Sequence, residues 1–305
     1  NLSYLFLNRK NTPLEKLLWR IVSDGSERFD THFDLAVSYI EGGSAYYVHD
    51  HVSAAKKAAF IHVDYVQAGY TRRLDKDCYV DFDRIFAVSD ETAGVFAGVY
   101  PECQQKLSVF HNLIDTEAIR QKALSPAEKS MHEGIRLLTV GRLTPQKGFD
   151  CAVYALKLLL EKQYPVYWYI IGEGPEYGRL TQLARSLHVE DHFIFLGMQT
   201  NPYPYFKMAD FYIHATRFEG KSIAIQEAQV LGCAIAASDC SGNREQIVSG
   251  VDGLLCPFSP EGIANAVEYL IEHPQTAQSF GRAAAQKACH FENDIHMIRD
   301  LLYSP

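Results

Sequence analysis

The chain alternates short apolar runs with longer stretches in which apolar residues recur every three to four positions. Short runs bounded by polar residues read as buried strands, and the three-to-four spacing reads as helix. In the first part the runs are Phe33 to Tyr39, Ala58 to Val63, Arg84 to Val88 and Leu107 to His111, with helices filling 44–57, 90–99 and 115–124. A second series follows: Ile135 to Val140, Val166 to Ile171, Phe193 to Leu196, Ala209 to His214 and Cys233 to Ala237. Helical patterns at about 148–162, 176–187, 222–232, 261–272 and 275–288 separate them. Such alternation predicts parallel β-α-β units. The fold class is therefore α/β, with two Rossmann-like domains at 1–121 and 135–290 joined by a polar, proline-bearing linker at 122–134. The tail, 291–305, reads as a helix that packs back on the first domain. The first domain has about four strand candidates and no opening strand with a Gly-rich turn, so it is expected to be incomplete. Residues 13–22 have helical spacing and a basic flank of Arg9, Lys10, Lys16 and Arg20. A helix packed on its own domain is preferred there to one lying on a membrane.

One stretch organises the chemistry: Arg217-Phe218-Glu219-Gly220-Lys221-Ser222-Ile223-Ala224-Ile225-Gln226-Glu227-Ala228. Two carboxylates stand eight positions apart, with a glycine, a lysine and a serine between them. Glu219 should sit in the loop leaving a strand, with Ser222 as N-cap of a helix that buries Ile223 and Leu231 and carries Glu227. Free N–H groups at a helix start, beside a lysine, make an anion site. Gly220 lets a ligand approach the backbone. A sugar, a diphosphate and a ribose would fit between the carboxylates, and a nucleotide-sugar has those parts in that order.

Other strand ends add to this. Val140-Gly141-Arg142-Leu143-Thr144-Pro145-Gln146-Lys147-Gly148 follows a strand and opens a helix, so Arg142 and Lys147 lie at the carboxyl edge of the sheet, where α/β proteins bind ligands. Two cations there suit a diphosphate, and the competing reading is a solvated loop. Gly172-Glu173-Gly174 and Gly197-Met198 end two more strands and either wall a base pocket or make plain turns. His62 and His111-Asn112 close strands of the first half. His49 and His51 flank Asp50, but an i, i+2 pair on a helix points in different directions, so no metal site is read there.

Charge narrows the partners. The net charge of −8 is shared evenly, with 13 basic against 17 acidic residues up to 121 and 16 against 20 beyond, which argues against nucleic acid. Seven cysteines without a C-x-x-C pair read as small buried side chains in a reducing compartment, not a disulfide framework or zinc site. No apolar run is long enough to span a bilayer and no signal peptide opens the chain. The expected location is cytoplasmic, with a peripheral membrane position left open. The opening Asn1-Leu2-Ser3, without methionine, is read as a processed, truncated or partial product.

Taken in order, G-R-x-x-x-x-K-G, G-E-G-P-E, F-L-G, E-G-K-S with a second glutamate at +8, and Ser238 to Glu245 before Gly250-Val251-Asp252-Gly253 closely resemble the GT-B glycosyltransferases of family 4, the retaining group with an E-x7-E motif. The resemblance covers roughly residues 33 to 290 and is stronger in the second half. It implies two Rossmann-like domains facing a cleft and transfer from a nucleotide-diphosphate sugar, with UDP as the default. The implied acceptor is a glycan or lipid-linked precursor of a surface polysaccharide or glycoconjugate. By resemblance Arg142 and Lys147 meet the donor diphosphate, Glu219 the sugar hydroxyls and Glu227 the ribose. Gly141 and the Gly220, Lys221, Ser222 and Ile223 backbone cradle the phosphates and sugar. Gly172, Glu173 and Met198 fall at the base, His62 faces the donor sugar, and Asn112 ends the first domain. No cofactor and no obligatory metal is expected. Asp75-Lys76-Asp77 and Asp81-Phe82-Asp83 look like the D-x-D of metal-dependent transferases, but a charged, solvated helix face is preferred. Lys221 departs from the family's usual aromatic or glycine. A GT-B nucleotide-sugar epimerase, or a non-catalytic nucleotide-sugar-binding partner of a transferase, remains an alternative.

Overall fold

The computed structural model describes Trp19, residues 23–288 and residues 294–303. Its contacts divide the chain into two compact units, Asn1–Leu113 with Glu292–Pro305, and Ile114–Phe291. The helix read at 13–22 lies outside the described residues except for Trp19.

In the first unit β1 (His32–Ser38), β2 (Ser53–Ile61), β3 (Arg84–Ala87) and β4 (Leu107–Val109) form a parallel sheet in that order. Side chains alternate across a strand. Ala59, Ile61 and Ile85 therefore enter one core, with Tyr46 of helix α1 (Gly43–His51) and Phe96 of a later helix. Ala58, Phe60 and Phe86 enter the other, with Phe110 and Leu301. Leu301 belongs to the tail helix Ile295–Tyr303, which covers that second face. The helix expected over 44–57 stops at His51, because the alanines and lysines that follow are strand β2. Their helix propensity is weak against the ladder they form between β1 and β3. His49 faces Asp50 and Asp81, whereas the His51 ring accepts from Arg28.

The charged stretch after β2 departs from expectation at one residue. Asp77 and Asp81 are solvated, but Asp75, which ends the short helix α2 (Arg72–Asp75), is fully buried. Its carboxylate accepts hydrogen bonds from the hydroxyls of Tyr46, Tyr65 and Tyr100. Burial is tolerated because each polar group in the cluster has a partner. Three aromatic rings brought in from distant parts of the chain lie behind this, and nothing near Asp75 in sequence signals it.

The second unit is larger. Strands β5 (Ile135–Val140), β6 (Val166–Ile171), β7 (Phe193–Gly197), β8 (Phe211–His214), β9 (Ala234–Ser238) and β10 (Leu254–Cys256) are all parallel, in the order β10-β9-β8-β5-β6-β7. Helix α3 (Phe149–Glu161) buries Phe149, Val153, Leu156 and Leu159, and each such side chain is worth roughly 1.5–3 kcal/mol. They pack with Trp168 and Ile170 on one face of the sheet, while Tyr169, Ile171 and Tyr212 face the opposite core. Strand β10 and the helix α4 (Tyr203–Met208) escaped the sequence reading, being three and six residues long.

The expected linker is not free. In the helix Thr116–Lys122, Ile119 packs with Val230 and Ala288 of the second unit. Further on, the Lys129 and His132 backbone N–H groups donate to the hydroxyls of Tyr205 (3.0 Å) and Tyr169 (2.6 Å). By its contacts this segment belongs to the second unit, which begins at Ile114.

Replacing Asp75 by alanine leaves three buried hydroxyls without an acceptor, at about 1–3 kcal/mol each. Urea unfolding of Asp75→Ala should show the first unit destabilised by more than about 3 kcal/mol. Asp77→Ala, which removes an ion pair with the exposed Arg72, should cost less than about 1 kcal/mol. Equal losses would contradict the buried cluster.

Candidate active site

β5 and β8 are neighbours in the sheet although three strand-connecting segments separate them in sequence. This is where the strand order reverses, the place where open parallel sheets leave a crevice at their carboxyl ends. The turn after β5 and the loop after β8 therefore lie side by side.

The turn is held from below. Gly141 N–H donates to Ile171 O at 2.9 Å, Leu143 N–H to Glu173 O at 2.9 Å, and the Leu143 side chain is fully buried. A short 3-10 turn, Pro145–Lys147, leads to Gly148 at φ +63°. Any Cβ at Gly148 would lie 2.3 Å from Ala215 O, so the close approach of the two loops requires glycine. Two hydrogen bonds then join them: Arg217 N–H donates to Gln146 O at 2.8 Å, and the Gln146 side-chain Nε2 donates to Phe218 O at 3.0 Å. Arg217, given no role by the sequence reading, binds Asp150 through two nitrogens (3.0 and 2.7 Å) and stacks on Phe258.

These contacts bring Lys147 to Glu219. The ammonium meets Glu219 Oε2, and the buried His214 places Nε2 3.4 Å from the same oxygen. Burial alone would raise the Glu219 carboxyl, but Lys147 and His214 outweigh it and hold its pKa at about 2. Burial pushes His214 below the ordinary histidine value. Arg142, on the same turn, is exposed, and its side chain has no partner among the described residues.

Past Glu219 the chain runs through Gly220, Lys221 and Ser222 into helix α5 (Ile223–Val230). Ser222 occupies the N-cap position, but its hydroxyl makes no capping bond, which leaves the first N–H groups of the helix without that partner. Ile223, expected to be buried, is half exposed; the helix turns Ile225 and Ala228 to the core instead. Glu227 is half-buried farther along, where Tyr203 of α4 donates to its Oε1 at 2.9 Å. Burial raises its pKa against that hydrogen bond. No local signal in Asn201-Pro202-Tyr203 announces this partner.

At the ends of β6 and β7 a cavity of about 520 Å³ is lined by Gly172, Glu173, Gly174, Tyr177, Phe195, Leu196 and Gly197. Gly172 adopts φ +139°, and a Cβ there would fall 2.0 Å from Gly141 O. Met198 stands exposed beyond Gly197. His62 and Asn112 belong to the first unit. The His62 backbone N–H donates to Glu41 Oε2 at 2.8 Å, while its buried Nε2 has no partner among the described residues. Burial lowers its pKa. Asn112 is buried at the end of the same sheet.

Parallel strands in two α/β units, with a cationic turn and a glutamate-flanked helix start at the switch point of the second, define a protein of the GT-B fold. The chain belongs to the family described as Glycosyl transferases group 1, which it matches over residues 120–287. It is 30% identical over 200 residues to the N-acetylgalactosamine-N,N'-diacetylbacillosaminyl-diphospho-undecaprenol 4-alpha-N-acetylgalactosaminyltransferase of Campylobacter jejuni, covering 65% of this chain and 53% of that protein. The chain thus spans about half the length of the curated relatives it matches. Among solved structures, sucrose-phosphate synthase from Thermosynechococcus elongatus superposes with a TM-score of 0.74 at 16% identity, over 96% of this chain and 80% of that one. Anabaena Alr3699/HepE in complex with UDP does so with a TM-score of 0.68 at 19% identity, over 82% and 72%.

The two glutamates carry opposite stability signatures. Glu219, depressed from 4.5 to about 2, adds stability that is fully present above pH 4.5 and lost as pH falls through about 2. Glu227, raised by burial, has the reverse sign and costs stability once pH rises through its folded value. At pH 7 and without ligand, Glu219→Gln should therefore lower the melting temperature and remove the acid-dependent loss between pH 4.5 and 2. Glu227→Gln should raise the melting temperature. Shifts of the same sign would contradict these environments.

Proposed function

We propose that the chain carries the donor site of a retaining glycosyltransferase that uses a nucleotide-diphosphate sugar, with UDP as nucleotide. The acceptor is a glycan or a lipid-linked glycan precursor. The observation that carries this reading is the meeting of Lys147 and Glu219 beside the open start of α5. Cations and free N–H groups suit a diphosphate, and a fixed carboxylate suits sugar hydroxyls. Arg142 and Lys147, with the Gly141 and Gly220 to Ile223 backbone, take the diphosphate. Glu219 takes the transferred sugar, and Glu227 the ribose. The cavity at Gly172, Glu173 and Gly197 takes the base, with Met198 at its rim.

As the anomeric bond breaks, negative charge grows on the departing diphosphate. Arg142, Lys147 and the helix start meet that charge without reorganising. The reading assigns the charge to these groups and to no metal. No side chain is cast as nucleophile; the acceptor attacks from the leaving-group face and the departing phosphate takes its proton. Support for UDP comes from the UDP-bound Anabaena protein, and support for a lipid-linked acceptor from the undecaprenol in the Campylobacter enzyme's name. No described helix is long and apolar enough to cross a membrane.

Titration calorimetry with UDP, GDP and ADP, followed by their sugar conjugates, tests the donor assignment. UDP should bind most tightly, unaffected by EDTA, and Glu227→Ala should lose nucleotide affinity. Turnover of a UDP-sugar with a lipid-linked acceptor should fall about ten- to a hundred-fold in Arg142→Ala and in Lys147→Ala, the equivalent of a charge-assisted hydrogen bond. Wild-type rates in both variants would remove the diphosphate role. A changed nucleotide-sugar formed without acceptor would identify an epimerase instead.

A further inference from the structure

The two oxygens of Glu219 differ in their surroundings. Lys147 Nζ and His214 Nε2 both approach Oε2. Oε1 has no hydrogen-bond partner among the described residues. Behind Oε2 runs a buried line of hydrogen bonds. The Tyr212 hydroxyl lies 3.2 Å from His214 Nδ1, and His214 Nε2 lies 3.4 Å from Glu219 Oε2. Tyr212 and His214 are both fully buried on β8. The Tyr212 hydroxyl is placed to donate to Nδ1. A neutral ring that accepts at Nδ1 carries its proton on Nε2, facing the carboxylate. The other tautomer would set a nitrogen lone pair against a carboxylate oxygen.

We propose that His214 is a positioning residue for the sugar-binding glutamate: its Nε2–H fixes Oε2 from behind, and Oε1 is the acceptor presented to the donor sugar. This rests on the donor-site reading above. Its value lies in the moment of binding. A diphosphate draws the Lys147 ammonium toward itself, and the carboxylate then needs a second partner that does not move. His214 is that partner, because β8 and Tyr212 hold it. Lys147 is a flexible point charge, whereas the imidazole is locked within the core. The 3.4 Å separation is long for a hydrogen bond, and such contacts tighten when substrate binds.

The test compares His214→Leu with His214→Gln, whose amide N–H can take the place of Nε2–H. Calorimetry uses UDP and whichever of UDP-glucose, UDP-galactose and UDP-N-acetylglucosamine the wild type binds. In His214→Leu the affinity for the UDP-sugar should fall about tenfold while that for UDP stays within about twofold, and His214→Gln should recover most of the difference. A merely structural histidine would weaken both ligands alike, or neither, or show no rescue, and each of those results overturns the proposal. If the wild type binds neither ligand, the donor-site reading fails separately, and imidazole 15N NMR still decides the point. The His214 ring should be neutral with its proton on Nε2, and Glu219→Gln should shift that resonance. A proton on Nδ1, or a ring indifferent to Glu219→Gln, would overturn the inference.

Discussion

The second unit depends on two strands lying side by side. β5 and β8 are adjacent because the chain winds outward in one direction from β5 and then returns to its other flank. That reversal opens the sheet's carboxyl edge and forces the loops that leave β5 and β8 to share it. Everything chemically active in this unit follows from how tightly those loops are joined. Gly148 lets the backbones touch, Gln146 and Arg217 hydrogen-bond across the gap, and Arg217 is pinned on Asp150. Lys147 and Glu219 are thus brought together by backbone geometry, and their attraction is a consequence of that geometry, not its cause.

Burying charge at such a place is costly unless each group is paired. Glu219 satisfies this through Lys147 and His214, and its carboxyl stays ionised far below neutral pH. Glu227 is only partly compensated, by one tyrosine hydroxyl, and burial raises it. The unliganded protein therefore carries one carboxylate already provided for and one held at a cost. A ligand hydroxyl would relieve the second more than the first. The same contrast exists within the first unit, where Asp75 is enclosed by three tyrosine hydroxyls while His62 keeps a buried nitrogen without a partner among the described residues. A satisfied buried group belongs to the fold. An unsatisfied one at a sheet edge is available to a ligand.

Much of this was legible in the linear order of residues. The period of apolar positions located nearly every strand of both sheets, because burial on two faces writes itself as short continuous apolar runs. Gly141 to Gly148 and Glu219 to Glu227 stood out because cations, glycines and carboxylates at strand ends have few structural uses. Where the reading went astray, local preference was overruled by distant partners. The alanines and lysines of 53–61 became a strand between two others, and Asp75 became a core residue. The supposed linker was anchored on Tyr169 and Tyr205.

By itself, then, the sequence determined the α/β class, the strand ends and the identity of the charged groups, since these depend on neighbours three or four residues away. It could not determine which strand ends meet. Only the tertiary structure decided that Lys147 reaches Glu219, that Tyr203 bonds Glu227, and that Tyr212 and His214 back the first glutamate. Those pairings span up to 72 positions and are set by strand order, which the packing of a whole sheet fixes and no local stretch encodes.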